Sequence, residues 1–201
     1  MAVIAMIAIG WYAIRVLPSS LPQKQNAPTE TQNVVRVDPT DPVRGVANAA
    51  KTIIEFGDLE CPICGNLDPQ LSDMVKHNPN VRLVWKDCPS SSHPNAEAAA
   101  EAAACAGDQG KYWEYHDLLI QNQDRLGADL YPTLAATLKL NATVFAACLG
   151  NGAKTDQVTA STNECAESGI TELPGFFING KAFSGANADI IHELTVELNK
   201  Q

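Results

Sequence analysis

Positive charge is scarce in this chain: 14 Lys and Arg stand against 23 Asp and Glu over 201 residues, a formal net charge of -9. A phosphate backbone would meet net repulsion from such a surface, which argues against a nucleic-acid partner. The sequence contains one Cys-x-x-Cys and no second, and it has no His-x-His spacing. Zinc needs a second ligand pair, so the zinc reading of the motif fails, although copper(I) on two thiolates is chemically compatible. No internal repeat or low-complexity tract competes with a single folded domain. Also missing are any Lys or Arg before the N-terminal apolar run and any small-x-small cleavage site near Pro18 to Leu21.

What is present at the N-terminus is an unbroken apolar and small-residue run from Ala2 to Ile14. It is expected to form a membrane anchor or signal segment over residues 1–17, short of the ~20 residues of a full span. With no cleavage site after it, a retained anchor is favoured. Residues 18–50 are rich in Pro, Gln, Asn, Thr and Asp, and are expected to form a flexible linker. Residues 51–201 are then expected to form one folded domain. Six cysteines, two in the Cys-x-x-Cys and four scattered singly, point to redox chemistry and cross-links in an oxidising compartment.

Within the domain, Thr52 to Gly57 has the β-branched and aromatic content of a buried strand and runs straight into the motif. A helix should follow, with Leu67, Leu71, Met74 and Val75 on one face and Pro69 in its interior. Val81 to Lys86 reads as the next strand. From about 90 to 169 the pattern is helical only, opened by Asn95 before an alanine-rich run, with Asn141 a further N-cap and Gly169 the last stop. Phe176 to Ile178 and Ala182 to Ser184 flank Asn179-Gly180, a type I′ hairpin signal. Ile190, Ile191, Leu194 and Leu198 then recur at helical spacing. The expected fold class is α/β: a βαβ unit and a ββα unit separated by an all-helical insertion.

The motif sits where a strand meets a helix N-terminus. Unpaired N–H groups and the helix dipole favour an anion there, so Cys61 is the candidate nucleophile. Cys64, at i+3 on the same face and deeper, can attack a mixed disulfide on Cys61 and resolve it. Pro62 suits a first helical position, and Ile63 offers the sulfur neither charge nor hydrogen bond. A purely structural disulfide is the bland alternative for this pair. Glu55 lies on the strand with even spacing to Cys61 and could relay a proton to Cys64; a solvent-facing Glu is the competing reading. His93, His116 and His192 match no motif. His116 and Trp113 belong to an apolar helical face, where core or capping roles suffice.

Three ordered blocks carry a family resemblance. Residues 53–65, from Ile53 through Cys61-Pro62-Ile63-Cys64 to Gly65, residues 105–113, from Cys105 to Trp113, and residues 174–180, from Pro174 to Gly180, together resemble the DsbA-like thiol-disulfide oxidoreductases from about Asp41 onward. The resemblance implies a thioredoxin-like fold with a helical insertion and an extracytoplasmic, periplasm-type location. It implies exported client proteins with thiols or disulfides, and a membrane redox partner that recycles the site. No cofactor beyond the internal redox-active disulfide is implied. Carried over position by position, Cys61 resembles the nucleophile, Cys64 the resolving cysteine, Pro174 the cis-proline beside the site and Glu55 the buried acid. Pro62, Ile63 and Leu173 are the positions facing substrate, the last through its backbone. The chain departs from the family at Leu173, where Thr or Val is usual, and at Gly175, where Thr is usual.

The remaining cysteines allow three pairings. Cys88 and Cys105 bracket a predicted helix and lie about 15 Å apart along it, and Cys148 and Cys165 are similarly separated, whereas a disulfide needs Cα atoms within ~7 Å. Of the two pairings left, Cys88 with Cys165 is the more attractive, because they mark where the chain leaves the sheet and returns. Cys105 would then join Cys148, as similar cysteines do in some DsbA-like proteins. The expected activity is disulfide donation to exported proteins. A reductase or isomerase, or a non-catalytic metal- or partner-binding module, are the alternatives.

Overall fold

The computed structural model describes residues 35–200. The expected anchor at 1–17, and the expected linker up to residue 34, lie outside the described residues. Among the described residues no helix is long and apolar enough to cross a membrane.

Five strands form one sheet: β1 (Val43–Gly45), β2 (Lys51–Gly57), β3 (Val81–Asp87), β4 (Gly175–Ile178) and β5 (Lys181–Ser184), in the order β1-β3-β2-β4-β5. β2 and β3 run parallel and are joined by helix α1 (Pro62–His77). β4 pairs antiparallel with β2 and with β5, and helix α7 (Ile190–Leu198) closes the chain. Between the βαβ and ββα units lie α2 (Ala96–Gly107), α3 (Tyr112–Ile120), α4 (Leu130–Thr137), α5 (Ala142–Gly150) and α6 (Thr155–Ser168). This is the expected α/β order with its helical insertion.

The linker boundary needs correction. Residues expected to be a flexible tether to position 50 include β1, which pairs antiparallel with β3 along Val43 to Gly45. The Asp41 carboxylate also reaches the Lys86 ammonium at 2.9 Å, and the Pro42 carbonyl accepts from the Trp85 N–H. Three residues are too few to display a period of two, so nothing in the local pattern separates this edge strand from coil.

Alternation along β2 assigns its side chains. Ile53 joins Leu71, Val75, Leu83, Phe176 and Leu194 in a core beneath α1 and α7, while Ile54 and Phe56 pack with Val84, Phe177 and Cys165 on the other face. A strand covered on both faces reads as a continuous apolar run, as β2 does from Ile53 onward apart from Glu55. Removing a ring such as that of Phe176, fully buried, would cost about 3–5 kcal/mol. The alanines of α2 allow close approach to Tyr115, Leu119, Leu134 and Phe145, which form the separate core of the helical block. At the hairpin, Asn179 and Gly180 both have positive φ, 54° and 79°, the geometry a type I′ turn demands.

Two disulfides tie these layers. Cys88, just past β3, is bonded to Cys165 near the end of α6, with Cα atoms 5.8 Å apart. Cys105 of α2 is bonded to Cys148 of α5, with Cα atoms 5.9 Å apart.

Candidate active site

β2 ends at Gly57, and the four residues Asp58 to Cys61 make the turn into α1. The Cys61 N–H donates to the Asp58 carbonyl at 3.1 Å, and the Asp58 Oδ1 accepts from the Glu60 N–H at 2.7 Å. Such a self-bonded Asp is the usual device for turning a chain tightly. Cys61 is the N-cap of α1 in extended conformation, Pro62 occupies the first turn, and the Cys61 Sγ accepts from the Cys64 N–H at 3.5 Å. Both cysteines are free thiols.

Their surroundings differ in sign. A hydrogen bond from the Cys64 thiol, backed by the N–H groups of Cys64 and Ile63, pulls the Cys61 thiol down to about 6 against burial and the Asp58 charge. The same thiol–thiol bond, together with burial and the charges of Cys61 and Glu55, pushes Cys64 far up, so Cys64 keeps its proton.

Glu55 lies on the α1 side of the sheet and is fully buried, and neither of its carboxylate oxygens has a hydrogen-bond partner among the described residues. Burial first, and then the nearby Asp68, pushes its pKa well above the carboxylate range. The solvent-facing reading of Glu55 is thereby excluded. Behind it stand Asp68 and His116, with His116 Nδ1 3.9 Å from Asp68 and 3.3 Å from Asp117. Donor atoms of Asp68, His116 and Asp117 lie within 4.8 Å of one another, a spacing a metal ion could use. The Arg44 guanidinium, bonded to both Asp117 oxygens, already supplies a cation at that corner.

The Leu173-Pro174 peptide is cis and precedes β4, whose Gly175 is in register with Phe56 of β2. That register puts the loop at the sheet end where Cys61 emerges. Cys61, Cys88, His93, Cys165, Ile170 and Leu173 line one surface groove of about 400 Å³. Pro62 and Ile63 are exposed beside it.

Three bracing contacts have no counterpart in the sequence reading. Asp58 Oδ2 takes the Ser90 N–H at 2.8 Å and the His93 Nδ1 at 2.7 Å. Glu60 accepts from the backbone and side-chain nitrogens of Asn95 at 2.6 and 2.8 Å, so the Asn95 side chain is spent on the active-site turn and does not cap α2. Gln123 Nε2 donates to the carbonyls of Leu59 and Cys61 at 3.0 and 2.9 Å. An Asp two residues before the glutamate that precedes Cys61 is a turn signal that could have been read; the partners, 32 to 64 residues away, leave no local trace.

A family model for thioredoxin matches residues 37–193. Among solved structures, the thiol-disulfide exchange protein alpha-DsbA2 from Wolbachia pipientis superposes with a TM-score of 0.70 at 18% identity, over 81% of this chain and 89% of that one. Oxidised BdbD from Bacillus subtilis does so with a TM-score of 0.67 at 22% identity, over 79% and 92%. Among curated relatives, Na(+)/H(+) antiporter NhaA 1 of Salinispora arenicola is 38% identical over 156 residues, 76% of this chain. The chain spans 24% of that antiporter's length.

Proposed function

The chain belongs to the thioredoxin family and has a DsbA-like fold, and from that premise we propose that it is a protein thiol-disulfide oxidoreductase working as an oxidase through Cys61 and Cys64. The observation that carries the direction is the unequal pair of thiols. A sulfur whose thiolate is stabilised in the reduced state makes its disulfide easier to reduce, so the disulfide is readily given away.

In the oxidised protein a client thiolate attacks Cys61 Sγ, the Cys61–Cys64 bond breaks, and Cys64 leaves with the electron pair. Cys64 binds a proton strongly, and protonated Glu55 is the buried acid able to supply one. A second client thiolate attacks the client sulfur of the mixed disulfide and expels Cys61 as a stable thiolate. The client has lost two electrons and the pair has gained them. Pro62, Ile63 and Leu173 border the path of the client, and Pro174 holds the Leu173 backbone beside it. A membrane redox partner then reoxidises the pair. No further cofactor enters this cycle.

The compartment consistent with this chemistry is extracytoplasmic, where the Cys88–Cys165 and Cys105–Cys148 bonds persist, with residues 1–17 holding the domain to the membrane. Antiport is not carried over from relatives that the chain matches over a quarter of their length.

The test is the reduction potential of the Cys61–Cys64 couple, with turnover on a reduced peptide. A value near about −120 mV with peptide oxidation is expected; one near about −270 mV makes it a reductase. Absence of both insulin reduction and peptide oxidation would refute the enzymatic reading.

A further inference from the structure

We propose that His93 is a positioning residue for the Cys61 thiolate, acting by neutralising the buried Asp58 carboxylate in the turn that carries Cys61. The inference rests on the reading of Cys61 as the nucleophile.

The Asp58 side chain is wholly shielded from solvent, and its carbonyl holds the Cys61 N–H. A carboxylate in that position works against a second negative charge on the neighbouring sulfur, because both share a poorly solvated corner. Backbone donors from Glu60 and Ser90 satisfy Asp58 but carry no net charge. His93 is the partner that can, with its Nδ1 at 2.7 Å and its ring still a quarter exposed. The other titratable groups facing this corner are acidic or the thiol itself: Glu60 beside it, Glu97 on α2, Glu172 across the groove and Asp87 at the end of β3. Among the described residues lining the groove, His93 is the one basic side chain. The dipeptide Pro62-Ile63 brings no charge to the sulfur.

The hydrogen bond to Asp58 and the charges of Asp58, Cys61 and Glu60 all favour protonated His93, against a smaller effect of burial. Protonated, His93 turns Asp58 into half of a neutral pair, and the N–H groups of α1 can stabilise the thiolate unopposed. Neutral, it leaves the Asp58 charge acting on the turn.

The test titrates alkylation of the reduced full chain with iodoacetamide against pH, with the labelled cysteine identified by mass. His93→Gln, which keeps a hydrogen-bonding side chain without charge, is expected to raise the Cys61 midpoint by about one pH unit, and His93→Lys to restore it. In an Asp58→Asn background, His93→Gln should have little effect. If Asp58→Asn does not fold, the Gln and Lys variants decide alone. An unchanged midpoint in His93→Gln, with Cys61 still the labelled residue, overturns the role of His93. Labelling of Cys64 first in the unsubstituted protein overturns the reading of Cys61 instead.

Discussion

The N–H of Cys64 donates to the sulfur of Cys61 across 3.5 Å, so the residue proposed to resolve the mixed disulfide is also a hydrogen-bond partner of the sulfur proposed to form it. Because the Cys64 thiol is the largest influence lowering Cys61, its removal has a signed consequence. Cys64→Ala should raise the alkylation midpoint of Cys61 above about 6 and leave mixed disulfides with clients unresolved. Mass spectrometry of complexes trapped on Cys64→Ala checks the second part. Unchanged acidity at Cys61 would show that the helix terminus alone sets it.

Glu55 makes stability depend on pH. Its pKa in the folded chain stands well above the ordinary 4.5, so between those values the native state holds a proton that the unfolded chain has released. Stability therefore falls as pH rises through that window, by up to about 1.4 kcal/mol per unit. Glu55→Gln should remove this slope, so its stability relative to the unsubstituted protein climbs from pH 5 to pH 8. Asp87, also raised by burial, contributes to both proteins and drops out of the difference, whereas the charge of Asp68, which acts on Glu55, belongs to the Glu55 effect. Urea midpoints across that range measure it, and a difference independent of pH would mean that Glu55 is ionised in the fold.

What could be read from the sequence was carried by short-range pattern. The apolar run of β2 meeting Cys61, the Asn179-Gly180 turn and the helical spacing of Ile190, Leu194 and Leu198 each announce themselves within a dozen residues. For the cysteines, helix length removes one pairing, since Cys88 precedes α2 and Cys105 lies near its far end; the place where the chain leaves and re-enters the sheet favours Cys88 with Cys165. Contacts between side chains distant in sequence were not legible. Asp58 and His93 are 35 residues apart and Arg44 and Asp117 are 73 apart, with no period or motif linking them. His93 matches no sequence motif and meets Asp58 only when the loop after β3 folds back onto the turn before α1.

The two disulfides should each contribute to stability, and by similar amounts. They close loops with sequence separations of 77 and 43, and each constrains the unfolded chain by about 4 kcal/mol in the loop-entropy model. Replacing Cys88 and Cys165 together by Ala should lower stability by up to that amount, and the Cys105/Cys148 pair likewise. Denaturant melts of both double variants, with peptide mapping of the non-reduced protein, check this. A Cys88–Cys105 linked peptide would contradict the structure directly.

Gln123 and Gly65 should be coupled. Gln123 reaches across from the turn after α3 to hold the Leu59 and Cys61 carbonyls, and a Cβ placed on Gly65 would sit 2.2 Å from its Oε1. The Cys61 carbonyl also accepts from the Gly65 N–H, so losing Gln123 strands the Leu59 carbonyl in particular. Leaving a buried acceptor unpaired costs about 1–3 kcal/mol, which sets the expected loss for Gln123→Ala. Gly65→Ala alone should also destabilise, because the glutamine amide must swing away and abandon both carbonyls. An alanine inside a helix is intrinsically better than glycine by about 1 kcal/mol, so once Gln123 is already Ala the same Gly65→Ala change should turn stabilising. That reversal of sign, read from urea midpoints of the two single variants and the double variant, distinguishes a brace on the active-site turn from a cost confined to Gly65. Additive effects would mean that Gln123 and Gly65 act independently.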